Sequence, residues 1–375
     1  GFRENTVLLM ALESVHLIHP GCKVISKKNS NAVPYGQSLL GRIIDGMGRP
    51  IDGKGPLLAP QREGFHAEPP NPLSRGLISD HFSTGIKSID AFVPLGVGQR
   101  IGIFAGSGVG KSILLGMIAR GSSAEVNVIS LVGERGRELK EFVEKDLGPE
   151  GLARSVIVVS TSDQPAPMRI RASILATAIS EGFRNEGKQV LLLMDSLTRF
   201  AMAQREIGLA TGEPPASRGY VPSVFSMLPK ILERTGTSDT GAITAIYTVL
   251  VEGDDMNEPV ADAVRGFLDG HIVLSRKLAN ANHFPAVDVL SSVSRLDRAV
   301  CTNEEMALIS EARDLLSVYR QNEDLINVGA YVKKSNPKID RAIEKFDPIE
   351  TFLKQRYDSL STREDAFNQL GEIFR

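Results

Sequence analysis

AGSGVGKS, residues 105–112, decides the fold. It follows an apolar run, RIGIFA (100–105), and opens a stretch, KSILLGMIAR, that reads as a helix. Strand, glycine-rich turn and helix in that order are the setting of a P-loop. Glycines 106, 108 and 110 let the backbone curl so that its N–H groups face phosphate oxygens. The helix N-terminus adds a favourable dipole. The expected phosphate-binding set is Ala105, Gly106, Ser107, Gly108, Val109, Gly110, Lys111, Ser112 and Ile113. Lys111 would reach the β- and γ-phosphates, and Ser112 would ligate Mg²⁺. Ala105 stands where the strict pattern has glycine.

Working outward, further apolar runs lie at 126–132, 155–160, 189–195, 242–250 and 271–275. Strands apolar on both faces belong inside a parallel sheet covered by helices. One of them, QVLLLMD, ends in Asp195, where a P-loop protein needs its second magnesium partner. Another, 126–132, runs into LVGERGREL (131–139). Ligands of open α/β sheets bind at the carboxyl ends of the strands. Glu134 can therefore polarise a water facing the γ-phosphate. Equally, it can start the helix that follows, where an acidic residue suits the dipole. Local chemistry leaves both readings standing; Arg137 and Glu138 read as first-turn charges.

Before the P-loop domain, TVLLMAL, CKVISKK and GRIIDGMGRPIDG carry strand-type residues between turn signals. The proline-rich HAEPPNPLSRG then reads as a linker. After about residue 300 the strand signals vanish. Thr302 with Glu305, and Ser361 with Glu364, form capping-box patterns before amphipathic runs. The expected divisions are 1–75, 76–300 and 301–375.

Bulk properties narrow the class. The 375 residues carry a net charge of −2, with 42% hydrophobic and 23% charged residues, which fits a globular chain without a basic footprint for nucleic acid. Two distant cysteines indicate no disulfide framework and a cytosolic compartment. Six scattered histidines show no metal-ligand spacing. The opening GFRENTVLLMALESVHL lacks the layout of a signal peptide and reads as the middle of a domain, so a truncated N-terminus is expected.

An ordered set of motifs now carries a resemblance over nearly the whole chain: GRIIDGMGRPIDG, STGIKSIDAFVPLGVGQRIGIFAGSGVGKS, LVGERGRE, LLLMDSLTRFAMAQREIGLATGEPP, GYVPSVFSMLPKILERTG and DGHIVLSRKLA…FPAVDVLSSVSR. The chain resembles the catalytic subunits of the rotary ATPase superfamily. Within it, the chain is similar to the ATPase of the flagellar protein export apparatus and of type III secretion systems. The resemblance implies an α/β fold: a RecA-like P-loop NTPase core, a partial N-terminal β-barrel and a C-terminal helical domain. It implies ATP and Mg²⁺ as ligands, and Ser112 and Asp195 as the metal residues. Glu134 resembles the catalytic glutamate, Arg135 the arginine beside it, and Arg295 in SSVSR the arginine finger that enters a neighbouring subunit's site. Gln204 and Arg205 are candidates for the subunit interface or the water network. Tyr331 in VGAYVKKS reads equally as an adenine-stacking ring or a packed tyrosine. Glu252, Asp254 and Asp255 form an acidic loop that faces either a central pore or solvent.

The implied function is Mg²⁺-dependent ATP hydrolysis that energises protein export at the cytoplasmic face of the inner membrane. The implied partners are five further copies in a homohexamer, export chaperones and their substrates, stator-like and stalk-like subunits, and an export gate. SLTRFAMAQREIGLATGEPPASRGY leans to the flagellar branch, whereas TSDQPAPMRIRA also resembles the injectisome (virulence) branch. An ATP synthase β subunit is disfavoured by AGSGVGKS and the EGDD loop. A non-catalytic scaffold subunit would lack Glu134. An RNA-translocating hexamer would need interleaved basic and aromatic residues that the N-terminal segment lacks.

Overall fold

The computed structural model describes residues 2–375 apart from 4, 5, 14, 17, 26–31, 59, 60, 252 and 254. Its centre is a nine-stranded sheet. The spatial order is Val293–Ser294, Gly270–Leu274, Arg100–Ala105, Ala242–Leu250, Gln189–Asp195, Val126–Val132, Ser155–Ser160 and Arg42–Asp45. The ninth strand, Gly236–Thr237, pairs with Ala242–Leu250 off that path. Only Val293–Ser294 and Gly236–Thr237 run antiparallel to their neighbours.

The apolar runs become strands because both faces of the sheet are covered. Alternate residues of one strand point to opposite sides. Val128, Val158, Leu192 and Met194 join one core, under the helices Ala166–Asn185, Leu197–Ala210 and Pro222–Leu232. Ile129, Ile157, Leu191 and Leu193 join the other, under the helix Lys111–Gly121. That second core also takes in Leu315, Leu316, Ile349, Phe352 and Leu370 from the C-terminal helices Asn303–Asn327, Pro337–Leu353 and Arg363–Phe374. The helical region therefore shares packing with the sheet. His283, almost fully buried, adds a polar tie through Nδ1 to Glu350 Oε2 at 2.8 Å.

Several sequence expectations shift. The capping box forms at Thr302 and Glu305. The last helix is capped one residue later than expected, by Thr362, whose hydroxyl accepts from the Asp365 N–H at 3.1 Å. The run expected at 271–275 is a strand over Gly270–Leu274. Of the N-terminal runs, Thr6–Val7 pairs with Phe2–Arg3, and Ala32–Tyr35 pairs with Gln61–Gly64. Arg42–Asp45 instead joins the edge of the central sheet, parallel to Ser155–Ser160. Ile44 is wholly buried there. The turn after it is closed by Asp52, which accepts from the Arg42 guanidinium at 2.7 Å and the Ile43 N–H at 3.0 Å. The proline-rich stretch has no regular structure, and Arg75 ties its end to the Thr235 carbonyl at 2.7 Å.

Candidate functional site

The carboxyl ends of three adjacent buried strands converge with the turn at 105–110. Parallel register sets Leu250 beside Ala105, and Asp195 beside Leu131. Gly110 has φ 90°, in the left-handed region that only glycine adopts freely, and it turns the chain into the helix Lys111–Gly121. That helix has no side-chain cap, so its first N–H groups face the cavity in front of the turn. The cavity measures about 1030 Å³ and is lined by Ala105, Gly106, Ser107, Gly108, Gly110, Lys111, Ser112 and Ile113 of the loop, among others. Val109 departs from its neighbours: its side chain is buried in the core, which leaves only its backbone to serve the loop.

Lys111 lies at the centre. Its Nζ is 2.5 Å from Asp195 Oδ1 and 3.6 Å from Glu134 Oε1. Burial works against the ammonium charge, but the two carboxylates outweigh it and hold the Lys111 pKa above the usual lysine range. Glu134 experiences the reverse balance. Burial and the nearby Asp195 charge push its carboxyl up to about 7, although Lys111 opposes the shift. The Glu138 carboxyl shares a hydrogen bond with Glu134 and is held below the usual range. Glu138 is thus part of the site, beyond the first-turn charge its position suggested. Arg135 lines the same cavity, mostly exposed, 3.8 Å from Glu138.

Two further residues escaped the sequence reading. Thr248 is fully buried and donates to Asp195 Oδ1 at 2.6 Å. The signal was a hydroxyl in an apolar strand, which demands a partner. Arg199 lines the cavity with a buried Nε that has no partner, and its Nη1 meets only the Met202 sulfur, at 3.8 Å. It belongs to the first turn of the helix Leu197–Ala210, where a cation opposes the helix dipole. A cation in that position was itself a sign of an anionic ligand. The stem of Arg199 passes over Gly133, and a Cβ there would fall 2.9 Å from it. Glycine at 133 thereby leaves room for the Arg199 stem beside the strand end.

Other expected residues lie apart. Arg295 is exposed, and its N–H bonds the Asp269 carbonyl, while the Asp269 N–H bonds the carbonyl of Arg100. Arg295 thus sits at the amino end of the strand whose carboxyl end carries the loop, roughly 17 Å away for a six-residue strand. Tyr331 does not line the cavity, and its hydroxyl is bonded to Asn336. Arg205 lines the cavity and covers the Tyr220 ring at 5.5 Å, whereas Gln204 bonds Ser223 at 2.9 Å. Asp255 pairs with Arg218 at 2.9 Å; Glu252 and Asp254 lie outside the described residues.

The donor set fits magnesium. Among the described residues no group of three or more His, Cys, Asp or Glu side chains can hold a metal. The pair expected to hold the metal is the Asp195 carboxylate, beside Lys111, and the exposed Ser112 hydroxyl of the cavity lining, which also includes the Glu134, Glu138 and Glu258 carboxylates. One carboxylate and one hydroxyl, both hard oxygen donors, suit Mg²⁺ carried in with phosphates. No described helix is long and apolar enough to cross a membrane.

Comparison with known proteins agrees with this geometry. Residues 85–294 match the family model of the ATP synthase alpha/beta nucleotide-binding domain. Residues 301–372 match that of the T3SS EscN ATPase C-terminal domain. The chain is 53% identical to a flagellum-specific ATP synthase of Bacillus subtilis, over 100% of this chain and 85% of the relative. It is 47% identical to a type 3 secretion system ATPase of Xanthomonas euvesicatoria, over 100% and 84%. Among solved structures, the assembled ATPase EscN from enteropathogenic E. coli, in complex with its central stalk EscO, matches with a TM-score of 0.86. That match is at 47% identity, over 92% of this chain and 83% of the other. The chain therefore belongs to the ATP synthase alpha/beta family of ATPases, in the branch of the flagellum-specific and type III secretion enzymes.

Proposed function

We propose that the cavity hydrolyses Mg-ATP and that the chain spends this energy on protein export through a flagellar-type secretion apparatus. The observation that carries the reading is Lys111 held between Asp195 and Glu134 at the mouth of the phosphate loop. When the triphosphate enters, Lys111 exchanges the two carboxylates for phosphate oxygens. Asp195 and Ser112 would hold Mg²⁺, which would supply positive charge against the triphosphate. Glu134, released from Lys111, orients and deprotonates the attacking water. Its carboxyl near 7 is matched to that task at neutral pH. Arg199, and Arg135 at the rim, complete the cationic wall on the phosphate side.

Arg295 serves a second copy. At the opposite end of the sheet from its own loop, it can act only across an interface, as the finger of a neighbouring site in a homohexamer. The assembled state of EscN supports such a ring, and its stalk EscO supports a stalk-like partner here. Export chaperones, their substrates, a stator-like regulator and the export gate, at the cytoplasmic face of the inner membrane, follow from the same kinship. The flagellar branch is favoured over the injectisome by the 53% identity of the Bacillus subtilis relative. Tyr331 is not used in this scheme, because it does not line the cavity.

The test is Glu134→Gln. Binding of Mg-ATP should stay near normal while turnover falls by at least about 100-fold, in line with lost base catalysis. Normal turnover in that variant would overturn the reading.

A further inference from the structure

Asp195 carries two contacts on a single oxygen. Lys111 Nζ reaches Oδ1 at 2.5 Å, and Thr248 Oγ1 donates to the same Oδ1 at 2.6 Å. Thr248 belongs to the strand next to the one that ends in Asp195, and both are buried. Its other contact, to the Met194 carbonyl at 3.5 Å, is long for a hydroxyl bond, so the carboxylate is its main partner. Of these two donors only one is free to leave. The lysine is on a long flexible stem at the edge of the cavity; the threonine is fixed on a central strand.

We infer that Thr248 is the positioning residue of the metal-side carboxylate. The inference rests on the reading of this cavity as a Mg-ATP site. Once Lys111 turns to the phosphates, Asp195 loses its nearest cation. The Thr248 hydroxyl then remains on Oδ1 and keeps the carboxylate in one rotamer. Lys111 thus stands in for the metal in the unliganded site, and Thr248 holds the carboxylate through the exchange. The hydroxyl is buried and does not line the cavity, so its removal should affect the metal-dependent part of binding alone.

The experiment titrates Mg²⁺ against the full chain at a fixed concentration of a fluorescent ATP analogue, with EDTA as the metal-free baseline. For Thr248→Val the Mg²⁺ concentration at half-maximal enhancement should rise about tenfold, the usual effect of losing a partner behind a metal ligand. Affinity in EDTA should match wild type, and Thr248→Ser should recover the wild-type midpoint. Thr248→Ala carries the same comparison if the valine variant does not fold. Unchanged midpoints in the valine and alanine variants overturn the inference. So does a serine variant as impaired as valine, or a loss equal in EDTA and Mg²⁺, which marks a packing role. A wild-type chain whose binding ignores Mg²⁺ overturns the Mg-ATP reading itself.

Discussion

Lys111 Nζ and Asp195 Oδ1, 2.5 Å apart, join the first residue of the loop's helix to the last residue of a strand two places away in the sheet. Both side chains are largely withdrawn from water, 12% and 5% exposed. Such a pair is costly to break from one side, because the charge left behind has no solvent. Lys111→Ala should therefore do two things at once. It should abolish Mg-ATP retention, and it should destabilise the unliganded chain by about 3 kcal/mol. Equilibrium binding and denaturant unfolding read the two effects; tight Mg-ATP binding in the variant would count against the phosphate loop.

The Glu134 carboxyl gives a pH signature. Pushed up to about 7 by burial and by Asp195, it is half protonated near neutrality in the free enzyme. A protonated base cannot take a proton from water, so kcat/KM should fall as pH drops through about 7. The stability of the unliganded chain moves the opposite way. A carboxyl raised on folding contributes stability that is present below the ordinary glutamate range and is lost as pH rises through its folded value. Rate and unfolding measured together between pH 5 and 9 check both signs. An acid limb centred in the ordinary carboxylate range would show that Glu134 is not the titrating base.

Arg199 allows a prediction in which affinity and stability part company. Its guanidinium has a partnerless Nε, one sulfur contact and an unfavourable place in a helix's first turn. Arg199→Met keeps the stem that packs over Gly133 and removes the charge. Unliganded stability should hold or rise by up to about 1 kcal/mol, as a cation leaves the positive end of a dipole. Affinity for Mg-ATP should fall about tenfold, the loss of one charge-assisted bond to phosphate. A variant that loses stability and keeps affinity would assign Arg199 to packing instead.

What the sequence made legible follows from how the fold is built. Val126–Val132 is buried at every position, so an unbroken apolar run was itself the mark of an interior strand. The loop at 105–112 was legible because phosphate binding needs consecutive residues. Thr248 was not. It meets Asp195 only through the register between two strands 53 positions apart in the chain, which no local pattern encodes. The final helix shows a milder limit. Ser361 with Glu364 and Thr362 with Asp365 have the same capping spacing, but Ser361 gives its N–H to the distant Gly85 carbonyl and Thr362 makes the cap. Arg42–Asp45 reads like its neighbours in the N-terminal segment, yet its burial against Ser155–Ser160 sends it to the central sheet.

Arg295 supplies the test of assembly. Its backbone is anchored at the amino end of the loop's strand, and its side chain is exposed and far from its own cavity. If it completes a neighbouring site, each interface needs a sound loop from one copy and a sound arginine from the next. Arg295→Ala and Lys111→Ala should each be close to inactive alone, because every interface of a uniform ring lacks one part. Mixed in equal amounts and allowed to reassemble, they should regain up to about a quarter of wild-type turnover, since a sound loop meets a sound arginine at one interface in about four. The same mixture made with Lys111→Ala, Arg295→Ala as a double variant should regain far less, because that copy offers neither part. Phosphate release measured against mixing ratio gives the answer. Activity that stays at the level of the separate variants at every ratio would place Arg295 outside the catalytic interface, and turnover of Arg295→Ala alone near wild type would do the same.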